Sequence, residues 1–449
     1  MRPIAPLLLA AAALGCAACP VLIHGQAETV LTPRVAKVPE RWFIIQAGTL
    51  MANASEPLAK SVSIVIKDDK IESIRPGFIE ASALAGVAPE SVHIVDLRDK
   101  FVMAGLIDAH VHIAGQSWVN ALRTAREKVL SGVTTARDAG STPELIFPLR
   151  DSINLGLVYG PRILASGAPL TTTGGHGDSR NGNFAAELRE PTFSGGVCDG
   201  EDECRKITRR QIQLGADQIK IIATAGVVDD SDTGLEQQFS DAELKVMVEA
   251  AHLMKRKVMA HAIGTEGIKA AVRAGVDSIE HGNYLDDEGA QMMKKQGTYL
   301  VATLTAPDVV LKRITNPQPG APPVSQNTRN KVMRMPEAQP GGIGRQVKIA
   351  QKYGVKMAVG TDFGGTPSSE MVLMVKDGGM KPIEVLRAVT LGNADLLGIS
   401  DKAGTIAPGK SADIVAFTGN PIDDIENSTH VIFVMSQGHE YVGPHFQLP

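Results

Sequence analysis

Between residues 104 and 400 the chain repeats one pattern: a short apolar run, then a stretch with helical periodicity. The apolar runs fall at 106–113, 133–137, 162–166, 218–224, 257–262, 278–280, 299–304 and 356–360. Short apolar runs separated by helical stretches read as buried parallel strands, because parallel neighbours need a long crossover that a helix can supply. Helical spacing is clearest at 241–255 and 266–274, and Ser240 with Glu243 opens the first of these as a capping box. Eight strand–helix units over about 300 residues predict a (β/α)8 barrel of the TIM type. An open doubly wound sheet is the competing layout, but no glycine-rich phosphate turn follows the first strand.

Strand character also lies on both sides of this region. Ser63–Lys67 meets Lys70–Ile74 through Asp68-Asp69, a hairpin signal, and 93–97 adds a further strand. After the barrel, 412–417 and 431–434 are again strand-like. The expected organisation is a leader at 1–27, a small β domain begun by 42–103, the barrel at 104–400, and the same β domain, a β-sandwich, finished by 401–449. Two connections are long: 171–203 is glycine-rich, and 306–344 is rich in Pro and Gly. Long loops in compact domains often serve a site.

Composition narrows the function classes. Hydrophobic residues make up 43% and charged residues 21%, enough for a sizeable core. With 45 basic and 49 acidic residues there is no basic excess for nucleic acid, and 4% aromatics offers few stacking surfaces for bases. The chain opens Met1-Arg2-Pro3-Ile4-Ala5-Pro6-Leu7-Leu8-Leu9 and continues with Ala10 to Ala13, one positive charge before a short hydrophobic stretch, which reads as a secretory signal too short to span a bilayer. Cleavage after Ala27 makes the protein periplasmic or secreted; Gly15-Cys16 leaves a lipoprotein as the alternative. Cys16 and Cys19 fall in that leader. Cys198 and Cys204 remain, as a short disulfide in an oxidising compartment or as two thiols.

The chemistry-bearing residues stand at strand ends. His110-Val111-His112 closes the first apolar run, and residues at i and i+2 of a strand share a face. His261 closes the fifth run, His281 the sixth, and Asp362 follows the eighth. The C-terminal rim of a barrel sheet is where active sites are built. A single such histidine is ordinarily a satisfied core residue; four and an aspartate at one rim point to a metal site. Lys220 lies within the fourth run, where an unpaired ammonium is costly to bury. Taken alone it would read as the partner of an acid such as Asp138.

Together these residues resemble the binuclear amidohydrolases, in the imidazolonepropionase-like branch that contains Xaa-Pro dipeptidases, lysine/arginine carboxypeptidases and ochratoxinases. The resemblance runs from about residue 45 to 425. It is carried by Ala104-Gly105-Leu106-Ile107-Asp108-Ala109-His110-Val111-His112, Thr173-Gly174-Gly175-His176-Gly177 and Lys220. It continues through Ala260-His261-Ala262, Glu280-His281-Gly282, Gly360-Thr361-Asp362 and Gly404-x-Ile406-x-Pro408-Gly409-Lys410-x-Ala412-Asp413. The resemblance implies two divalent metals. His110 and His112 would bind the first, His261 and His281 the second. Lys220 would become a CO2-derived carbamate between them, and Asp362 would touch the first metal and handle protons. Zinc suits these ligands, with manganese and cobalt open. It implies amide hydrolysis by a hydroxide bridging the metals, with no covalent intermediate. His176 is expected to reach the substrate or its oxyanion, and Asp138 to be structural. Relatives often form homo-oligomers.

Two positions depart from the dipeptidase pattern. Ile263 stands where relatives carry a Tyr expected to bind the substrate carboxylate, and Phe239 stands where they often carry Tyr. Both are expected to line an apolar pocket for a hydrophobic C-terminal residue, including ochratoxin-like N-aroyl phenylalanine. The competing readings are an Xaa-Pro dipeptidase, a cyclic-amide or imidazolone hydrolase, which Lys220 argues against, and a non-catalytic scaffold.

Overall fold

The computed structural model describes residues 40–115, 117–178, 195–228, 234–317 and 324–445. The leader at 1–27, with Cys16 and Cys19, lies outside the described residues.

Eight short parallel strands follow one another in the central region. They are β5 (Leu106–Val111), β6 (Val133–Asp138), β7 (Arg162–Ala165), β8 (Gln218–Ile222), β9 (Lys257–Ala262), β10 (Ser278–His281), β11 (Tyr299–Val301) and β12 (Met357–Ala358). They pair in chain order as a three-stranded sheet, β5-β6-β7, and a five-stranded sheet, β8 to β12. Single parallel bridges join the two sheets at both seams. Leu170, beyond β7, bridges Ile221 of β8, and Val111 of β5 bridges Asp362 beyond β12. Every residue of β5, β6, β8 and β10 is buried. That is why these strands lack the polar–apolar alternation of a strand with one face in water.

Helices fill the crossovers. The helix Asp241–Leu253 starts with the anticipated Ser240–Glu243 capping box, and Thr265–Ala274 ends at Gly275 in the left-handed region. The connection 306–344, expected to be a long loop, contains the helices Thr305–Thr315 and Gln326–Arg334. Its prolines fall largely outside those helices, so the Pro/Gly content did not preclude helix between them.

The flanking segments form one sheet, not the two packed sheets of the expected sandwich. Its strands are β1 (Trp42–Met51), β2 (Ala59–Lys67), β3 (Lys70–Pro76), β4 (Val92–Ala104), β13 (Ile414–Phe417), β14 (Val431–Ser436) and β15 (His439–Val442). They pair in the order β15-β14-β13-β4-β1-β2-β3. β4 is long enough to pair with β1 from Val92 to Met103 and with β13 from Phe101 to Ala104. The sheet curls until Lys70 bridges Ser411, just ahead of β13. One face therefore encloses its own core of Ile45, Ile64, Val102, Ile414 and Phe433. The β2–β3 hairpin turns at Asp68, whose φ of 55° is tolerated by aspartate.

Gly105 alone separates β4 from β5. A side chain there would put its Cβ 2.2 Å from Thr134 Cγ2, so the two sheets can meet this closely only at glycine.

Candidate active site

The C-terminal ends of the parallel strands deliver the residues singled out above to one place. His110 is fully buried at the end of β5, and His112 follows one residue beyond it. Their rings lie 5.4 Å apart, and both approach Asp362 Oδ1, His110 Nε2 at 3.9 Å and His112 Nε2 at 3.2 Å. Lys220 Nζ, on β8, is 3.4 Å from His110 Nε2. His281, closing β10, stacks 5.1 Å from His110 and 4.6 Å from His261, which lies on β9. His176, in the loop after β7, sits 4.7 Å from the His261 ring. His110, His281 and Asp362 bring ligand atoms within 4.8 Å of one another.

Three imidazoles are held by their Nδ1 atoms. His110 Nδ1 donates to Glu280 Oε2 at 2.6 Å, and His112 Nδ1 donates to the Gly140 carbonyl at 2.6 Å. His281 Nδ1 lies 2.7 Å from Thr303 Oγ1, whose own hydroxyl donates to Ala302 O. Thr303 Oγ1 is therefore the acceptor. His110 and His281 then turn an Nε2 lone pair toward the cluster, and His112 does so once the proton it shares with Asp362 leaves, the arrangement that orients metal-binding imidazoles. Glu280 is itself fixed by Arg137 Nη2 at 2.7 Å and by Ser278 Oγ.

Strand alternation would send Glu280 and His281 to opposite faces, yet both reach His110. His281 leaves extended geometry, with φ at 72°. Thr303 and Asp362 also have positive φ, 48° and 58°. Three non-glycine residues in this costly region, all at strand ends around one cluster, mark a backbone shaped for the site.

The electrostatics suit ligation. Burial first, and neighbouring positive groups second, hold His110, His261 and His281 well below the ordinary imidazole value. Burial lowers the Lys220 ammonium to about 8, against the pull of Glu280 and Asp362. Burial would raise Asp362, but the hydrogen bond from His112 and the charges of His110, His112 and Lys220 bring it to about 2. His112 is raised: the charge and hydrogen bond of Asp362 outweigh desolvation.

The cluster opens into a cavity of about 360 Å3. Ile263 lines it as expected, beside Ile222, Val310, Leu311 and Phe363. Phe239 does not. It is 1% exposed and packs in the main core, so its assignment to the pocket is corrected. The adjacent Gln238 holds the His176 loop instead, with Oε1 accepting from the His176 backbone N–H at 2.9 Å. Asp138 is structural. Its carboxylate accepts from Ile113 N, Gly140 N and Ser141 Oγ and so fixes the turns beside His112. Cys198 and Cys204 are joined as a disulfide. It anchors a segment that bonds to Thr171, at the base of the His176 loop.

Sequence reasoning missed Glu280 as a support, and Asn283 and Glu337 as parts of the cavity wall. A charged residue in a four-residue buried strand was a signal for Glu280. Glu337, in the short 3-10 helix Pro336–Ala338 that follows the helix Gln326–Arg334, had none.

A model of the amidohydrolase family matches residues 101–440. An ochratoxinase from Aspergillus niger is 31% identical over 438 residues, covering 89% of this chain and 87% of that protein. An imidazolonepropionase from Sphingopyxis alaskensis is 26% identical, covering 79% of this chain and 88% of its own length. A solved Xaa-Pro dipeptidase, with methionine in its active site, superposes with a TM-score of 0.81 and 34% identity. It covers 90% of this chain and all of its own.

Proposed function

The chain belongs to the amidohydrolase family and is a hydrolase of carbon–nitrogen bonds; from that premise we propose that it releases a hydrophobic C-terminal residue from peptidyl or N-acyl substrates, ochratoxin-like N-aroyl phenylalanines included. One observation carries this reading. The histidine–lysine–aspartate cluster and an aliphatic wall containing Ile263 line the same cavity. Such a wall accepts a large apolar side chain and offers no phenol there for a carboxylate.

The residues present fit two divalent cations. Neutral imidazoles and a carboxylate converge, with lone pairs turned inward, and this donor set suits zinc. His110, His112 and Asp362 would hold one ion, and His261 and His281 the other. A carbamate on Lys220 would serve both; a lysine near 8 keeps enough free amine at neutral pH to react with CO2. When bound, the ions would supply Lewis acidity to the substrate carbonyl and acidity to a water. Asp362, ionised and poised beside His112, accepts the proton of the attacking water and delivers it to the leaving amine. His176 donates to the carbonyl oxygen as charge develops there. Ile263 and the aliphatic wall exclude water from the leaving side chain.

The test is a competition read by mass spectrometry. Zinc- and bicarbonate-supplemented protein meets an Xaa-Pro dipeptide and an N-aroyl phenylalanine together. Release of phenylalanine ahead of proline is expected, and Ile263→Tyr should shift the ratio toward proline. Preferential release of proline would favour the Xaa-Pro dipeptidase reading, which the 34% identical structure supports. Cleavage of neither would turn attention to cyclic amides.

We also propose that the protein works outside the cytoplasm, in periplasm or medium, and assembles as a homo-oligomer. The Cys198–Cys204 disulfide supports an oxidising compartment. Fractionation and light scattering test the two statements.

A further inference from the structure

Two residues of the cavity wall each carry a buried acceptor atom that makes no hydrogen bond of ordinary geometry among the described residues. Asn283 is 3% exposed and Glu337 is 4% exposed. Asn283 Nδ2 donates to Glu337 Oε1 at 2.9 Å. That bond leaves Asn283 Oδ1 and Glu337 Oε2, both buried, without a hydrogen-bond partner among the described residues. The Gln346 amide lies beside Glu337 and can offer one N–H, but it brings no charge. Arg345 is the cation on this side, and its Nη1 is spent on the Leu285 carbonyl at 3.0 Å. Much of the remaining wall is aliphatic, with Val310, Val332 and Met335 among it. A carboxylate left in such surroundings is costly unless an occupant pairs with it.

We infer that Asn283 and Glu337 form a subsite for a primary ammonium of the substrate. An ammonium brings three donors and no acceptor, which matches two orphaned acceptors, and its charge offsets that of Glu337. The inference rests on the amide-hydrolase reading and refines it: among substrates with the same hydrophobic released residue, one that places an ammonium here binds tighter than its neutral counterpart. Two sources share this chemistry, the free α-amine of the acyl residue and a lysine side chain on the released residue.

The test uses zinc-loaded Asp362→Asn protein, which holds a peptide without cleaving it, and calorimetry on two matched pairs. Leu-Phe is compared with N-acetyl-Leu-Phe, and N-acetyl-Leu-Lys with N-acetyl-Leu-norleucine. In one pair the cationic member should bind about tenfold tighter or more, as a charged hydrogen bond in a buried site predicts. The pair that responds identifies the source. Glu337→Gln in the same background should erase the preference by weakening only the cationic ligand. Equal binding within both pairs, or no binding at all, overturns the inference and needs no Glu337 variant. A Glu337→Gln protein that weakens both members equally marks Glu337 as structural and overturns it too. Turnover of the same four peptides by the unmodified enzyme is scored separately, so failure of hydrolysis is not confused with failure of the subsite.

Discussion

His112 and Asp362 form an ion pair whose proton must leave before His112 can ligate a metal. Their 3.2 Å contact raises the imidazole and lowers the carboxylate to about 2. A raised imidazole stabilises the metal-stripped protein fully below the ordinary value of about 6.5, and that contribution fades as pH rises through the folded value. His112 therefore contributes a fall in the melting temperature of stripped protein as pH rises through neutrality, whereas His110, His261 and His281, held low, contribute a rise, so His112→Gln should make the net slope more positive. In the same window zinc uptake should release a proton, so its heat should vary with the ionisation enthalpy of the buffer. A buffer-independent heat would contradict this. Gly226 makes a second prediction. A Cβ there would stand 2.0 Å from His176 Cε1, so Gly226→Ala must displace that ring. Misplacing a positioned group by this much costs roughly 100-fold in turnover. kcat/KM should drop by about that factor with metal content unchanged; unaltered turnover would remove His176 from the reaction.

At the scale of elements, the seam between β5 and the segment after β12 decides whether His110 and Asp362 meet. One parallel bridge joins the sheets there, with backbone hydrogen bonds from Ala109 N to Val359 O and from Thr361 N and Asp362 N to His110 O, and Asn393 reinforces the joint. Its amide donates to Ile107 O and Val359 O, and its Oδ1 accepts from Val359 N at 2.8 Å. Asn393→Ala strands buried backbone groups on both sides and should cost on the order of 3 kcal/mol. Urea unfolding measures this, and a loss of under about 1 kcal/mol would mean water replaces the amide. The strands themselves were legible: β9 falls where its apolar run predicted, and β6, β7 and β10 lie within a residue of theirs. β11 and β12 are shorter than their runs. Their last residues leave the ladder to shape the site, as Thr303 does with its positive φ, and no apolar pattern announces that.

Across the whole molecule, the curled sheet and the parallel strands are sewn together rather than linked. Gly105 N donates to Asp413 O at 2.9 Å, and Arg162 pairs with Asp413 at 2.8 Å with both side chains largely buried. Ser436 Oγ donates to Thr134 O at 3.2 Å. Residues from Glu40 onward accordingly form one compact unit. Calorimetric unfolding of the metal-loaded protein should show one cooperative transition, and two resolved transitions would contradict the shared core.

The sequence by itself determined the alternation of strands and helices and the placing of His110, His112, His261, His281 and Asp362 at strand ends. Period and motif are local properties, readable from neighbours along the chain. Tertiary structure decided the rest. It withdrew Phe239 into the core, made one curled sheet where a sandwich was expected, and set Glu280 under His110. It also brought Glu337 beside Asn283, 54 residues away in sequence. Such contacts depend on which faces meet when the core closes, and a partner's identity is not encoded near the residue that needs it.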